Sequence, residues 1–224
     1  MQENVSLANS KCGLIFIVPS RNVLKVDIPE SYYHVYARGA SRENIFLDVD
    51  DFKYFQHLFA RYLSRQEYRN SARTPYEKLN DKVELLCFAQ MNNHFHLLLY
   101  QVEKGAMRRL MHGVMTAYVI YFNKKYNKTG SLFENRYKAS RVDNDSYLEH
   151  ISRYIHLNPT NWRSYPYSSI ANYVDSKNQD WVKPERVIEL FRNERDYLRF
   201  VDDYQESKNI LVELKHQLAD GGQG

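Results

Sequence analysis

The fold turns on one stretch: Val83-Glu84-Leu85-Leu86-Cys87-Phe88-Ala89-Gln90-Met91, then Asn92-Asn93, then His94-Phe95-His96-Leu97-Leu98-Leu99-Tyr100-Gln101. Two apolar runs flanking two asparagines read either as two strands joined by a turn or as one long strand with a bulge at the asparagines. In the second run, alternation puts His94, His96, Leu98 and Tyr100 on one face and Phe95, Leu97 and Leu99 on the other. The apolar set suits a core. The two imidazoles, spaced i and i+2, point the same way, stay accessible and can converge on one metal ion.

Working outward, strand and helix patterns alternate. Residues 32–37 have strand composition, and Arg38-Gly39-Ala40 ends them with a turn. Residues 48–63 read as a helix with Phe52, Phe55, Leu58, Phe59 and Tyr62 on one stripe after an acidic start. Residues 70–81 are a polar connector. Met107, Leu110, Met111, Val114, Tyr118, Tyr121 and Phe122 recur at helical spacing, so residues 106–123 form a helix packed on the sheet. Ser146 and Glu149 suggest a capping box opening a further helix, with Leu148, Ile151 and Ile155 on its buried side and Pro159 stopping it. An aromatic loop over 162–173 is followed by helical patterns near 184–192 and 195–218. The division expected is an N-terminal extension (1–21), one domain (22–175), a helical C-terminal extension (176–218) and a disordered tail (219–224).

A chain of 224 residues that is 43% hydrophobic can bury a core without staples. Only Cys12 and Cys87 are present, and Cys87 lies within an apolar run, so no disulfide framework is expected and a reducing, cytoplasmic setting follows. The apolar stretch 13–18 is too short for a signal-peptide core or a membrane span. The net charge of +4 and a sequence pI near 8.9 tilt the chain mildly toward polyanions. From 124 to 141 the bias is concentrated: Lys124, Lys125, Lys128, Arg136, Lys138 and Arg141 stand against Glu134 alone, a local charge of +5. Tyr126, Phe133 and Tyr137 are interleaved with these cations, a mixture that suits a phosphate backbone and bases stacked on rings; a solvated basic loop is the plainer reading.

On the helix before Pro159, a 3.6-residue period lines up Tyr147, Ile151, Tyr154 and Asn158. The Tyr154 hydroxyl and the Asn158 amide thus approach one point from adjacent turns, and a tyrosine beside a metal-binding imidazole pair offers a nucleophile. Tyr147 is the rival, but it lies in the first turn and lacks a polar partner four residues on. His150 and His156 point away from this stripe and read as surface histidines.

Three ordered motifs carry a family resemblance: residues 91–99 (MNNHFHLLL), 130–138 (GSLFENRYK) and 153–159 (RYIHLNP), supported by 32–39 (YYHVYARG) and 165–169 (YPYSS). Together they resemble the single-tyrosine HUH transposases of the insertion sequence 200 type, and within them the REP-associated tyrosine transposases, over about residues 20–175. The resemblance implies an α+β fold with a ferredoxin-like antiparallel sheet, helices on one face, and action on single-stranded DNA next to a hairpin. It makes His94 and His96 metal ligands, Tyr154 the nucleophile and Asn158 the third ligand. Asn92 stands where the family often has proline, which touches only the local turn.

The chemistry suits these residue types. A tyrosine hydroxyl, with an ordinary pKa of about 10, is a poor nucleophile at neutral pH unless its proton leaves or its target is polarised. A cation held by two imidazoles and an amide keeps positions open for phosphate oxygens. Mg²⁺ or Mn²⁺ is expected, and imidazoles also accept Zn²⁺, Ni²⁺ or Co²⁺. Attack by tyrosine gives a 5′-phosphotyrosine that a second DNA end can reverse. Arg38, Lys124, Lys125, Lys128, Arg136, Tyr137, Lys138 and Arg141 are the expected DNA-facing residues. The alternatives are a hairpin-binding regulator with an unused site and a metal-dependent hydrolase using water, which leaves Tyr154 idle. The sequence accommodates a monomer or a homodimer.

Overall fold

The computed structural model describes residues 27–174 and 179–203. Its chain order is β1 (Ser31–Arg38), α1 (Val49–Leu63), β2 (Val83–Met91), β3 (His94–Gln101), α2 (Ala106–Tyr126), β4 (Lys138–Val142) and α3 (Asp145–Leu157), then the short helices α4 (Ala171–Val174), α5 (Glu185–Ile188) and α6 (Glu194–Asp202). The N-terminal extension, Cys12, the apolar stretch 13–18, the tail and everything past 203 lie outside the described residues.

Of the two readings of 83–101, the hairpin holds. β2 and β3 pair antiparallel with Met91 opposite His94, and Asn92-Asn93 make the turn. That turn is anchored by neighbouring backbone: Ile45 and Phe46 both donate to the Asn92 carbonyl, and Gly39 donates to that of Asn93 at 2.9 Å. The chain must pass close here. A Cβ on Gly39 would lie 2.1 Å from the Glu43 carbonyl oxygen, so no larger residue fits without moving backbone.

The sheet order is β2-β3-β1-β4, antiparallel throughout, which is the ferredoxin-like arrangement expected. Alternation assigns its faces. Tyr33, Val35 and Ala37 of β1 join Phe95, Leu97 and Leu99 of β3 under α1 and α2. A bulge between Leu85 and Cys87 switches the parity of β2, so Leu85 and Phe88 both reach this layer while Leu86, Cys87 and Ala89 turn to the other. α1 opens on a capping box between Asp48 and Asp51. Asp51, fully buried, also accepts from Tyr121, Lys125 and Tyr126 of α2, which ties the two helices together at one end.

The expectation of helices on one face needs correcting. α3 crosses the second face with Leu148, Ile151, Tyr154 and Ile155 packed on Leu86, Cys87, Ala89 and Leu98, and α5 and α6 close it with Val187, Tyr197 and Val201. The strand that carries the histidines is apolar on this face too, at Leu98, so it requires a cover. Residues 179–203 are thus part of the core: Trp181 and Val182 pack with the first layer, and bridges at Ala89–Ser168 and Leu85–Val182 cap the outer edge of β2.

Two further details differ. α3 is capped by Asn144, whose side chain accepts from the Tyr147 amide at 2.8 Å, and not by Ser146; Asn144 is the residue held extended just before the first turn. His156 is buried, because α6 covers the back of α3: its Nδ1 lies 2.6 Å from the Tyr197 hydroxyl and its Nε2 2.8 Å from Ser169 Oγ. Among the described residues no helix is long and apolar enough to cross a membrane.

Replacing Asp51 with alanine removes the reciprocal half of the capping box, leaves the Tyr121 hydroxyl without its carboxylate and leaves Lys125 and Tyr126 with Asp48 alone, so the unfolding free energy should fall by about 2 kcal/mol in urea titrations. A change below about 0.5 kcal/mol would mean that the network does not hold α1 to α2.

Candidate active site

The face of the sheet beneath α3 carries Tyr32, His34, Tyr36 and Arg38 from β1, and His94, His96 and Leu98 from β3. The pairing sets Arg38 opposite His94 and Tyr36 opposite His96. Tyr154 descends onto them from α3. Its ring meets His96 edge-on with centroids 5.2 Å apart and His34 at 6.0 Å, while the His94 and His96 rings are 5.2 Å apart and nearly perpendicular. Asn158, at the C-cap of α3, lies beside both His94 and Tyr154, near enough for its side chain to influence the titration of each. The structure therefore brings together all four residues singled out in the sequence.

The pocket is drier than expected. His96 is 3% exposed and Tyr154 4%, and His94 is half-buried, so the imidazoles are covered by the helix and not open to solvent. Burial, with Arg38 adding, brings the His94 pKa down to about 4, and burial drives that of His96 well below its ordinary value. Both rings are neutral at pH 7 and can serve as ligands. Burial pushes Tyr154 up to about 12, against the opposing pull of the Asn158 hydrogen bond and the Arg38 charge. The resting phenol is protonated.

Each imidazole is oriented from behind. Asn93 donates its amide to the Arg42 carbonyl at 3.3 Å, which turns its Oδ1 toward His94 Nδ1 at 2.6 Å. A carbonyl oxygen only accepts, so His94 carries its proton on Nδ1 and its Nε2 carries the lone pair, on the side of the ring away from Asn93. His96 Nδ1 lies 2.9 Å from Nε2 of His34, which is also buried and held neutral by that burial at a pKa of about 3. Sequence reading assigned no role to Asn93 or His34. The signal for His34 was present in the alternation of β1, where Tyr32, His34, Tyr36 and Arg38 form the polar set against Tyr33, Val35 and Ala37.

Among the described residues no three His, Cys, Asp or Glu side chains converge on a metal position. A cation here would rely on the two imidazole nitrogens, the Asn158 amide oxygen and oxygens from substrate or water. Two neutral imidazoles beside an amide oxygen fit a divalent ion of the first transition series, Mn²⁺ included. Tyr147 makes no ring contact with either imidazole, and burial raises its pKa to about 12.

The expected DNA-facing residues divide. Arg38 is half-buried at the site without an ion-pair partner among the described residues, and Lys138 stands opposite Tyr36 on the same face. Arg136 is exposed on the loop whose Glu134 amide donates to the Arg38 carbonyl. Lys124 is exposed at the end of α2, in the layer behind the sheet. Lys125 is committed to Asp48 and Asp51 at 2.8 Å each, Lys128 pairs with Glu43 and Arg141 with Asp143. Tyr137 differs from the expectation: it is buried with Phe133 in the α1/α2 core, at 8% and 4% exposed, so neither offers a stacking surface. The loop over 127–137 folds back over the core, and its rings are the part that packs.

A family model described as "Transposase IS200 like" matches residues 27–158. Among solved structures, one described as "Structure of the REP associates tyrosine transposase bound to a REP hairpin" aligns with a TM-score of 0.46 at 13% identity, covering 67% of this chain and 82% of that one. No curated protein sequence matches the chain.

The buried histidines make the metal-free fold acid-sensitive. His34 and His156 titrate at about 3 and His94 at about 4 when folded, against about 6.5 in the unfolded chain. Below about pH 6.5 the unfolded chain binds protons that the folded one refuses, so stability is full above that value and is lost as pH falls toward 4. The slope approaches about 1.4 kcal/mol per pH unit for each such histidine. The urea midpoint should drop clearly between pH 7.5 and pH 5; equal midpoints would contradict the buried, neutral state.

Proposed function

The chain belongs to the family of IS200-like transposases, and from that premise we propose that it nicks and rejoins single-stranded DNA beside hairpins, with Tyr154 as nucleophile and with His94, His96 and Asn158 holding a divalent cation. The observation that carries this reading is the meeting of the Tyr154 and His96 rings at 5.2 Å, with Asn158 beside both Tyr154 and His94. The ordered motifs resembling REP-associated tyrosine transposases support a hairpin as the flanking element, for a transposase or a domesticated relative of one.

When bound, the cation polarises the scissile phosphate and stabilises charge on the leaving oxygen. The remaining steps belong to the chain. The Tyr154 oxygen attacks phosphorus, forming a Tyr–O–P bond to the 5′ side as the P–O bond to the 3′ oxygen breaks; the phenolic proton is lost and the 3′ oxygen gains one. The Asn158 hydrogen bond and the Arg38 charge both favour the phenolate, opposing the burial that disfavours it. Arg38, unpaired and beside the imidazoles, binds the scissile phosphate. Lys138 and Arg136 continue the positive track from there along the β4 side. Because the phosphotyrosine retains the energy of the broken bond, rejoining to a second 3′-hydroxyl is the same step reversed and needs no nucleotide cofactor.

Incubation with a labelled single-stranded hairpin substrate and Mn²⁺ should give a denaturant-resistant protein–DNA adduct. Tyr154→Phe abolishes it, Tyr147→Phe keeps it, and Arg38→Ala lowers its rate by about 10-fold to 1000-fold, as loss of a charge stabiliser does. Salt-sensitive hairpin binding with no adduct, indifferent to chelator and to Tyr154→Phe, would favour the regulator instead.

A further inference from the structure

We propose that His34 is a positioning residue: its Nε2 accepts the Nδ1 proton of His96 and so keeps the His96 Nε2 lone pair turned toward the point shared with His94 and Asn158. The inference rests on the proposed role of His96 as a ligand.

The geometry is specific. The two ring nitrogens are 2.9 Å apart, a distance at which one of them donates and the other accepts. The rings stack with centroids 5.1 Å apart and planes 21° from parallel, and both residues are buried. Among the described residues this is the one hydrogen bond that either imidazole makes. His34 is itself braced, with Tyr36 stacked at 5.3 Å on one side and the edge of Tyr154 at 6.0 Å.

Two arrangements of the shared proton exist, and they differ in what they leave facing the site. With the proton on His96 Nδ1, the Nε2 lone pair faces His94, Tyr154 and Asn158, and His96 can be a ligand. With it on His34 Nε2, His96 presents an N–H to that same point and repels a cation. His94 has already been driven into the first arrangement by the Asn93 carbonyl, at 2.6 Å. A matching state on His96 gives two lone pairs on one side of the pocket, each ring fixed by an acceptor behind it. Acceptors of this kind hold ligand imidazoles in one tautomer and one orientation, and their loss typically costs 10- to 100-fold in metal affinity.

The test compares His34→Phe, which keeps the bulk and removes the acceptor, with His34→Gln, whose amide oxygen reaches near the old Nε2 position. Titration with Mn²⁺ should show binding weakened 10- to 100-fold in His34→Phe and within about threefold of the parent in His34→Gln. Independently, nitrogen chemical shifts of the metal-free parent should show His96 protonated on Nδ1. A folded His34→Phe with parental Mn²⁺ affinity, or a His96 protonated on Nε2 in the parent, overturns the proposal. Should His34→Phe fail to fold, the glutamine variant and the parent's shifts decide it. If the parent binds no Mn²⁺, the metal reading falls by itself, and the His96 tautomer then judges the role of His34 alone.

Discussion

The site depends on α3 lying across the face of the sheet that carries the imidazoles. Without that cover, His94 and His96 are two histidines on a wet strand and Tyr154 is a residue on a distant helix. With it, a phenol, an amide and two neutral rings share one dry pocket. Apolar packing of Leu148, Ile151 and Ile155 against Leu86, Ala89 and Leu98 holds the helix down. The polar residues ride on that contact and do not create it.

The back of α3 is secured just as firmly. His156, two residues beyond Tyr154, bridges Tyr197 of α6 and Ser169, and Arg153 donates to the Phe200 carbonyl at 3.0 Å while its guanidinium lies 3.8 Å over the Phe200 ring. α6 thereby acts on the position of Tyr154 from behind the helix. A buried polar network is costly unless each member is satisfied, and here the members come from three separate parts of the chain, α3, Ser169 and α6, which favours a single seating of the helix.

Much of this was legible in the sequence. The alternation of β3 gave the correct faces, and the 3.6-residue stripes of α1 and α2 gave correct helices, because each signal is local and repeats several times. The convergence of Tyr154 with His94 and His96 was legible only through the order of the motifs, since no local rule brings a strand and a helix over 50 residues apart together. What escaped reading was non-local. The cover on the second face, the burial of His156 by α6 and the turning inward of Tyr137 all depend on which layer a later segment reaches. The commitment of Lys125 to Asp48 and Asp51 is of the same kind, since the composition of a basic stretch carries no record of the acids that it will meet.

The central claim is that His94, His96 and Asn158 hold one cation against Tyr154. Pulsed electron paramagnetic resonance of the Mn²⁺-loaded protein tests it most directly. The account predicts nitrogen couplings from two imidazoles, one lost in His94→Ala and one in His96→Ala. A Mn²⁺ spectrum with no imidazole nitrogen, or one unchanged when both histidines are replaced, would contradict it.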